Sequence, residues 1–380
     1  MTTKIAIIGC GFVADYYMST LPNHPDLEVI GATDIDQTRA ANFGKNYSVP
    51  IYNSVAELLA DDKVEIVLNL TNPRSHFEVS WECLQANKHV YSEKPLAVEI
   101  EQAEKLVALA KEKGLYVASA PCNVLGETAQ TIWKALREDI VGTPRVVYAE
   151  MDDGMVHQMR YDQWLSINGI PWPYKDEFEV GCTLEHAGYY VTWLTAFFGP
   201  AESLSSFSDC TIPDKQTDVV LEPANTPDFS VACIKFVSGV VARLTCGIVA
   251  PHDHHLKIVG DKGIITTEDS WDYHSPVYFQ DRITIRRKTL INPLKRKYPL
   301  VRKAPLSDSW KRKRSRLMDY GRGVADMAES IKLGIPNRLS ADYSLHVNEI
   351  VLAIQNPVPG GYPYKLKSTF EPMQPMPWAK

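Results

Sequence analysis

Three short groups of residues in this sequence have types and spacings that could do chemistry. The first is Gly9-Cys10-Gly11-Phe12-Val13-Ala14, a GxGxxA run directly after the apolar stretch Ile5-Ala6-Ile7-Ile8. Gly9 permits a tight turn, Gly11 lets an anion approach the backbone, and small Ala14 allows a helix to pack closely on a strand. Phe12 and Val13 open that helix, whose free N–H groups and dipole would face a pyrophosphate. Asp34 stands twenty residues after Ala14. A carboxylate there can accept hydrogen bonds from ribose hydroxyls and repels a 2′-phosphate, so NAD is expected rather than NADP. Two alternatives stay open: Asp34 caps the next turn, or Arg39 accommodates a phosphate, with NADP as the cofactor. The second group is Glu93-Lys94-Pro95, on the carboxyl edge of a predicted sheet, where open α/β folds bind ligands. Read alone, Lys94 is a lysine at a strand end, and the Lys94–Pro95 bond can be cis at small cost. The third is His252, His254 and His255 with Asp253. Alternate residues on a strand share a face, but no thiolate or carboxylate at ligand spacing completes a metal site, so no metal is expected.

These groups need elements to position them. Short apolar runs at 4–8, 27–32, 64–70, 89–91 and 115–119 read as strands, and amphipathic stretches at 12–20, 55–60, 75–87 and 100–113 as helices. Ser54 and Ser75 are expected N-caps and Gly114 a C-cap. The alternation predicts a parallel, doubly wound sheet, for which six strands would fit. A helix over 126–139 leads to β-branched runs at 145–151, 231–237, 240–247, 256–259 and 264–267, which predict an antiparallel sheet with hairpins. Helical periodicity returns at 184–198, 318–333 and 339–355. The expected fold is thus α/β: an N-terminal Rossmann dinucleotide-binding domain over 1–122, then an α+β domain over 123–380 with a mainly antiparallel open sheet. The terminal helices would pack back on the first domain or against the sheet edge.

The 380 residues, 45% hydrophobic and 23% charged, exclude a small stapled scaffold and wholesale disorder. Seven scattered cysteines with no CxxC pair suggest neither a disulfide framework nor a zinc knuckle. No stretch approaches the length of a membrane helix and no signal peptide is evident, so a cytoplasmic protein is expected.

Taken together, the GxGxxA start, Asp34, Asn72-Pro73 followed by His76, and Glu93-Lys94-Pro95 before a strand-rich second domain resemble the Gfo/Idh/MocA oxidoreductase family. The resemblance implies an NAD(P)-dependent enzyme that moves a hydride to or from a hydroxyl or keto carbon of a sugar, cyclitol or sugar derivative. It implies that Lys94 lies beside the reacting carbon, with Thr71, Asn72, His76 and Glu93 bordering the cofactor. It implies a substrate-facing polar residue at Asn123. The family's Asp-x-Gly-x-His helix motif reads His186-Ala187-Gly188-Tyr189-Tyr190 here, departing at both reactive positions. Tyr190 would then handle the proton with Lys94 while His186 positions substrate. Trp172, with Trp164 and Tyr161, could stack on a sugar face. A homodimer or homotetramer is implied. The family also contains a transcriptional repressor and NAD-dependent glycosidases, so a non-catalytic NAD(P)-binding sensor and a glycosidase are the rival readings.

One feature lies outside these motifs. Residues 286–316 carry 13 basic side chains against Asp308 alone, a local charge of +12 in a chain of −6. Pro293, Pro299 and Pro305 interrupt it, which disfavours a nucleic-acid-binding helix. It reads either as a solvated loop or a contact with an acidic neighbouring subunit, or as a hold for a phosphorylated or nucleotide-linked sugar, which charge reversal across Lys311 to Arg314 would test.

Overall fold

The computed structural model describes residues 2–302 and 318–380. Five parallel strands form the N-terminal sheet: β1 (Thr3–Ile8), β2 (Leu27–Thr33), β3 (Ile66–Asn69), β4 (His89–Ser92) and β5 (Val117–Ser119), in the order β2-β1-β3-β4-β5. Ile5, Ile7, Ile66 and Leu68 have no exposed surface, as expected for strands covered on both faces. Helices over Phe12–Thr20, Val55–Ala60 and Ile100–Lys113 match the predicted spans. The Ser54 hydroxyl accepts from the Glu57 N–H, and Gly114 closes its helix in the left-handed conformation. Ser75 does not cap, because the chain makes a tight turn over Pro73–Ser75 before the helix His76–Gln85 begins.

Two features depart from expectation. Among the described residues the parallel sheet has five strands and no sixth: Ile51 makes only an isolated parallel bridge to Ala32, too short to extend it. A helix over Gln37–Tyr47 fills a stretch left without one, capped by Asp36, which accepts from the Thr38 and Arg39 N–H groups. Its apolar stripe is thin, with Ala40 and Phe43 alone buried, and Gly44 interrupts it.

The second sheet contains β6 (Pro144–Asp152), β7 (Ala201–Asp209), β8 (Phe229–Phe236), β9 (Val241–Gly247), β10 (Leu256–Gly260), β11 (Gly263–Thr267), β12 (Val277–Ile285), β13 (Lys288–Ile291), β14 (Arg296–Tyr298) and β15 (Tyr364–Lys365). Its order is β13-β12-β11-β10-β6-β9-β8-β7-β15, with β14 also paired to β12. All pairs are antiparallel except β6 with β9. Strands β7 and β12 to β15 are not visible in the hydrophobic pattern. β7 is serine-rich, and β13 is exposed throughout because it lies at the sheet edge.

The chain divides into two compact units. The first takes the chain up to Cys122 together with Arg160–Val180 and Asp319–Glu349; the second takes Asn123–Met159, Ile350–Lys380 and the described part of 181–318. A boundary at 122/123 with everything after it in one domain is therefore crossed twice. Asp15 explains the first crossing. Its carboxylate, on the helix Phe12–Thr20, accepts from the Ser166 hydroxyl, the Asn168 N–H (3.1 Å), the Asn168 amide (2.8 Å) and the Tyr47 hydroxyl (2.7 Å). The second crossing carries the helix Gly321–Leu333, where Gly323 lies so close to the Tyr91 ring on β4 that a Cβ would meet its hydroxyl at 2.2 Å.

The basic segment is partly structural. Arg296 pairs with Asp281 (3.0 Å), and Arg302 pairs with the buried Glu127 (3.0 Å) while lying 4.1 Å over the Trp378 ring. Lys295 stands 4.1 Å over Tyr278. Such charges along β13 and β14 discourage edge-to-edge pairing. Residues 311–314 lie outside the described residues. Among the described residues, no helix is long and apolar enough to cross a membrane.

Candidate active site

In the first unit the loop after β1 is built for close approach. Gly9 has φ +98°, and a Cβ there would lie 2.6 Å from the Leu70 carbonyl, so the turn requires glycine. Gly11 differs: a Cβ would meet nothing within 4 Å, and no side chain caps the helix that starts at Phe12. The space is open and the first N–H groups of the helix face it, as an anion site requires. Ala14 is fully buried.

Asp34, at the end of β2, is nearly buried. One oxygen accepts from the Cys10 N–H (2.7 Å) and the other from the Asp36 N–H (2.8 Å), with the Arg39 guanidinium 3.6 Å away. It therefore ties the glycine loop to the turn after β2, and both sequence readings of it, cap and ribose acceptor, use the same carboxylate. Arg39 also lies 3.8 Å from Asp36, and the following Ile35 is fully exposed.

The loops after β3 and β4 are joined by His76. It is fully buried, with Nδ1 2.7 Å from the Pro95 carbonyl and Nε2 3.1 Å from the Thr71 carbonyl. Burial pushes its pKa down to about 4 although both carbonyls favour the charged form, so near pH 7 the neutral ring donates its single N–H to one carbonyl and is in close contact with the other. With no exposed surface and its two nitrogens against the Pro95 and Thr71 carbonyls, His76 packs the two loops together. Thr71 donates to Asn69 (2.7 Å), leaving Thr71 and Asn72 on the rim of the loop.

Glu93-Lys94-Pro95 follows β4 with a cis Lys94–Pro95 bond. Glu93 is buried and accepts from the Tyr17 hydroxyl (2.7 Å) and, at 3.2 Å, from the Lys94 N–H. Burial pushes the Glu93 pKa up, while Lys94 and Tyr17 oppose the rise. Lys94 itself is half-buried beside this carboxylate. Trp172 belongs to the first unit, packed 4.9 Å from Trp164 and 6.2 Å from Tyr161, measured between ring centroids.

The second unit gathers a separate polar cluster. His186 lies in a π-helical turn, Thr183–Ala187, that runs into the α-helix Gly188–Phe198. The wider turn shifts His186 relative to Tyr190 from the register of a continuous α-helix. Tyr190 is fully buried and its hydroxyl donates to the His254 backbone carbonyl. Burial raises its pKa well above the usual phenol value. Tyr190 is thus placed to hold the 254 backbone. Asn123 is fully buried: its amide donates to the carbonyls of Tyr189 (2.9 Å) and Ser270 (3.3 Å) and accepts from Thr192 (3.1 Å), so it joins internal elements.

The residues that surround His186 come from distant parts of the sequence. Asp153, just past β6, approaches His186 Nδ1 at 3.7 Å. Trp271 stands edge-on to His186 (6.0 Å), Tyr189 (5.2 Å) and His254 (4.5 Å). Sequence reading missed Asp153, Tyr189, Asp269 and Trp271. The one signal available was that His252 and His254 alternate on one face, which leaves a carboxylate to be found elsewhere.

Two family models match this chain. Residues 3–120 match the model described as "Oxidoreductase family, NAD-binding Rossmann fold", and residues 129–266 match the GFO/IDH/MocA C-terminal domain. The chain belongs to the Gfo/Idh/MocA oxidoreductase family. It is 24% identical over 275 residues to the trans-1,2-dihydrobenzene-1,2-diol dehydrogenase of Mus musculus, covering 71% of this chain and 76% of that protein. Its fold is similar to that of the aldose-aldose oxidoreductase of Caulobacter crescentus, with a TM-score of 0.75 at 15% identity over 96% of this chain and all of that one. It is also similar to the WlbA dehydrogenase of Bordetella pertussis, solved with NADH and UDP-GlcNAcA, with a TM-score of 0.71 at 16% identity, covering 96% and 98% of the two chains. As a member of this family the protein is an NAD(P)-dependent oxidoreductase. The residues that fit the dinucleotide are those of its own first unit: the open approach at Gly11, the uncapped helix start and Asp34.

Proposed function

We propose that this Gfo/Idh/MocA member is an NAD-dependent dehydrogenase acting on a hydroxyl or keto carbon of a sugar or cyclitol. The observation that carries this reading is the Glu93-Lys94-Pro95 turn, which sets a half-buried lysine beside a buried carboxylate at the carboxyl edge of the parallel sheet. NAD supplies the hydride acceptor. In oxidation the hydroxyl proton passes to the Lys94 amine, and in reduction the ammonium returns it. Glu93, held by the buried Tyr17, positions Lys94 and balances its charge. Asp34 favours NAD, since a 2′-phosphate would meet its carboxylate. His186, with Trp271 beside it, offers a polar group and an apolar wall of the kind that bind polyols.

A polyhydroxylated substrate is supported by two similar proteins, one named for a vicinal diol and the other for aldoses. The described basic residues at 295, 296 and 302 are occupied by Asp281, Glu127 and aromatic rings, so they lend no support to a substrate phosphate. The test is a panel of sugars and cyclitols with NAD, followed at 340 nm. Net NADH formation with a keto product is expected. Sugar release without net NADH would replace this reading with a glycosidase, and tight NAD binding without turnover on any member would replace it with a sensor.

A further inference from the structure

Within the second unit, Asp153, His252 and His254 bring one ligand atom each to within 4.8 Å of one another. His252 Nδ1 and His254 Nε2 each stand 3.8 Å from Asp153 Oδ1. These spacings are long for hydrogen bonds and close to the edges of a metal polyhedron, which for a tetrahedral site with bonds of 2.0–2.1 Å are about 3.4 Å. The geometry points to a divalent transition-metal site, of the zinc or cobalt class, with Asp153, His252 and His254 as ligands.

A second observation is independent of this clustering. His254 is 1% exposed, and its Nε2, aimed at Asp153, has no hydrogen-bond partner among the described residues. A buried imidazole nitrogen without a partner costs free energy that a metal bond would recover. The opposite nitrogen is already set for ligation: Nδ1 faces the Asp269 carboxylate at 3.4 Å, which fixes the tautomer that presents a lone pair at Nε2. Asp269 is held in turn by the Trp271 N–H (2.7 Å). The Trp271 ring, 4.5 Å from His254, walls the inner side. His252 stands on the open side, its ring centroid 4.1 Å from that of His254.

The neighbouring groups do not compete. His255 turns away to Asp253, at 2.5 Å. Two imidazoles and one carboxylate select zinc or cobalt over magnesium or calcium, and three protein ligands leave a coordination position for water or a substrate hydroxyl. His186 faces the other oxygen of Asp153, at 3.7 Å, and would help orient that carboxylate. Binding at this site does not depend on the hydride-transfer reading.

The experiment uses tag-free, full-length protein stripped with a chelator, titrated with zinc by calorimetry and with cobalt(II) by absorption. One equivalent per chain is expected, with a tetrahedral or five-coordinate d–d spectrum. Asp153→Asn and Asp269→Asn should weaken zinc by at least about 10-fold. His252→Ala, on the exposed rim and thus free of folding consequences, should weaken it by a similar factor or more. No stoichiometric uptake by the folded wild-type chain, or uptake unchanged in His252→Ala, would overturn the assignment.

Discussion

The glycine loop of the first unit and the histidine cluster of the second are both sets of polar groups at strand ends, yet they are assembled in opposite ways. The loop is local: Gly9 to Ala14 form one turn, and its partner Asp34 follows at the end of the next strand. The cluster is remote: His186, Asp153, His252, His254 and Asp269 come from four segments spread over more than 100 residues. A site made by one turn depends on backbone conformation, so its residues are constrained in type. A site made by several strand ends depends on sheet register, so residue types alone do not reveal it.

The largest effect that would sharpen this contrast concerns His76, which joins two local loops. Its native pKa of about 4 lies below the ordinary value of 6.5, so between those values the unfolded chain binds more protons than the folded one. Stability should therefore fall as pH drops from about 6.5 to 4, by about 3 kcal/mol, and level off below. Urea unfolding across that range measures it, and His76→Gln should flatten this part of the profile.

The next effect separates the two glycines. Gly11→Val should leave the melting temperature unchanged, because a Cβ there meets nothing, while NADH affinity drops by about 100-fold through loss of close approach. Gly9→Val should lower both, because its Cβ would strike the Leu70 carbonyl. Equal melting temperatures for the two variants would contradict the distinction.

A smaller change is expected at Asp34. Asp34→Ser should shift the ratio of NADH to NADPH dissociation constants by about 10-fold toward NADPH, with Arg39 released from its 3.6 Å contact. A fluorescence titration with both cofactors checks this, and an unchanged ratio would leave Asp34 as a turn cap alone.

The smallest effect belongs to the cluster. Tyr190→Phe removes a hydroxyl that donates to the His254 carbonyl, so it should cost about 1 kcal/mol of stability and change turnover by less than about 3-fold. A loss of 100-fold or more in turnover with unaltered stability would mark the phenol as a proton carrier.

These outcomes follow how much was legible in the sequence. The strands and helices of the first unit were readable because buried parallel strands are continuous apolar runs and their helices carry caps such as Ser54 and Gly114. The Gln37–Tyr47 helix was hidden by its thin apolar stripe, and β7 by serines on a strand where periodicity carries little signal. Lys94 lies in a contiguous motif and Asp34 follows the glycine run at a fixed spacing, so both could be singled out from the sequence. His76, Tyr190 and Asn123 were recognised as special residues, but their roles depend on which buried partner they reach: Pro95, His254 and Tyr189 respectively. No spacing rule supplies those partners, and the same holds for Asp153 beside His252.

In the proposed reaction Lys94 manages the proton while the glycine loop and Asp34 hold the dinucleotide. Its most direct test is Lys94→Met, assayed for NADH binding and for single-turnover hydride transfer with a substrate identified from the sugar panel. NADH affinity within about 3-fold of the parent, with hydride transfer slowed by at least about 100-fold, is the predicted result. Hydride transfer at the parent rate with intact NADH binding would contradict it.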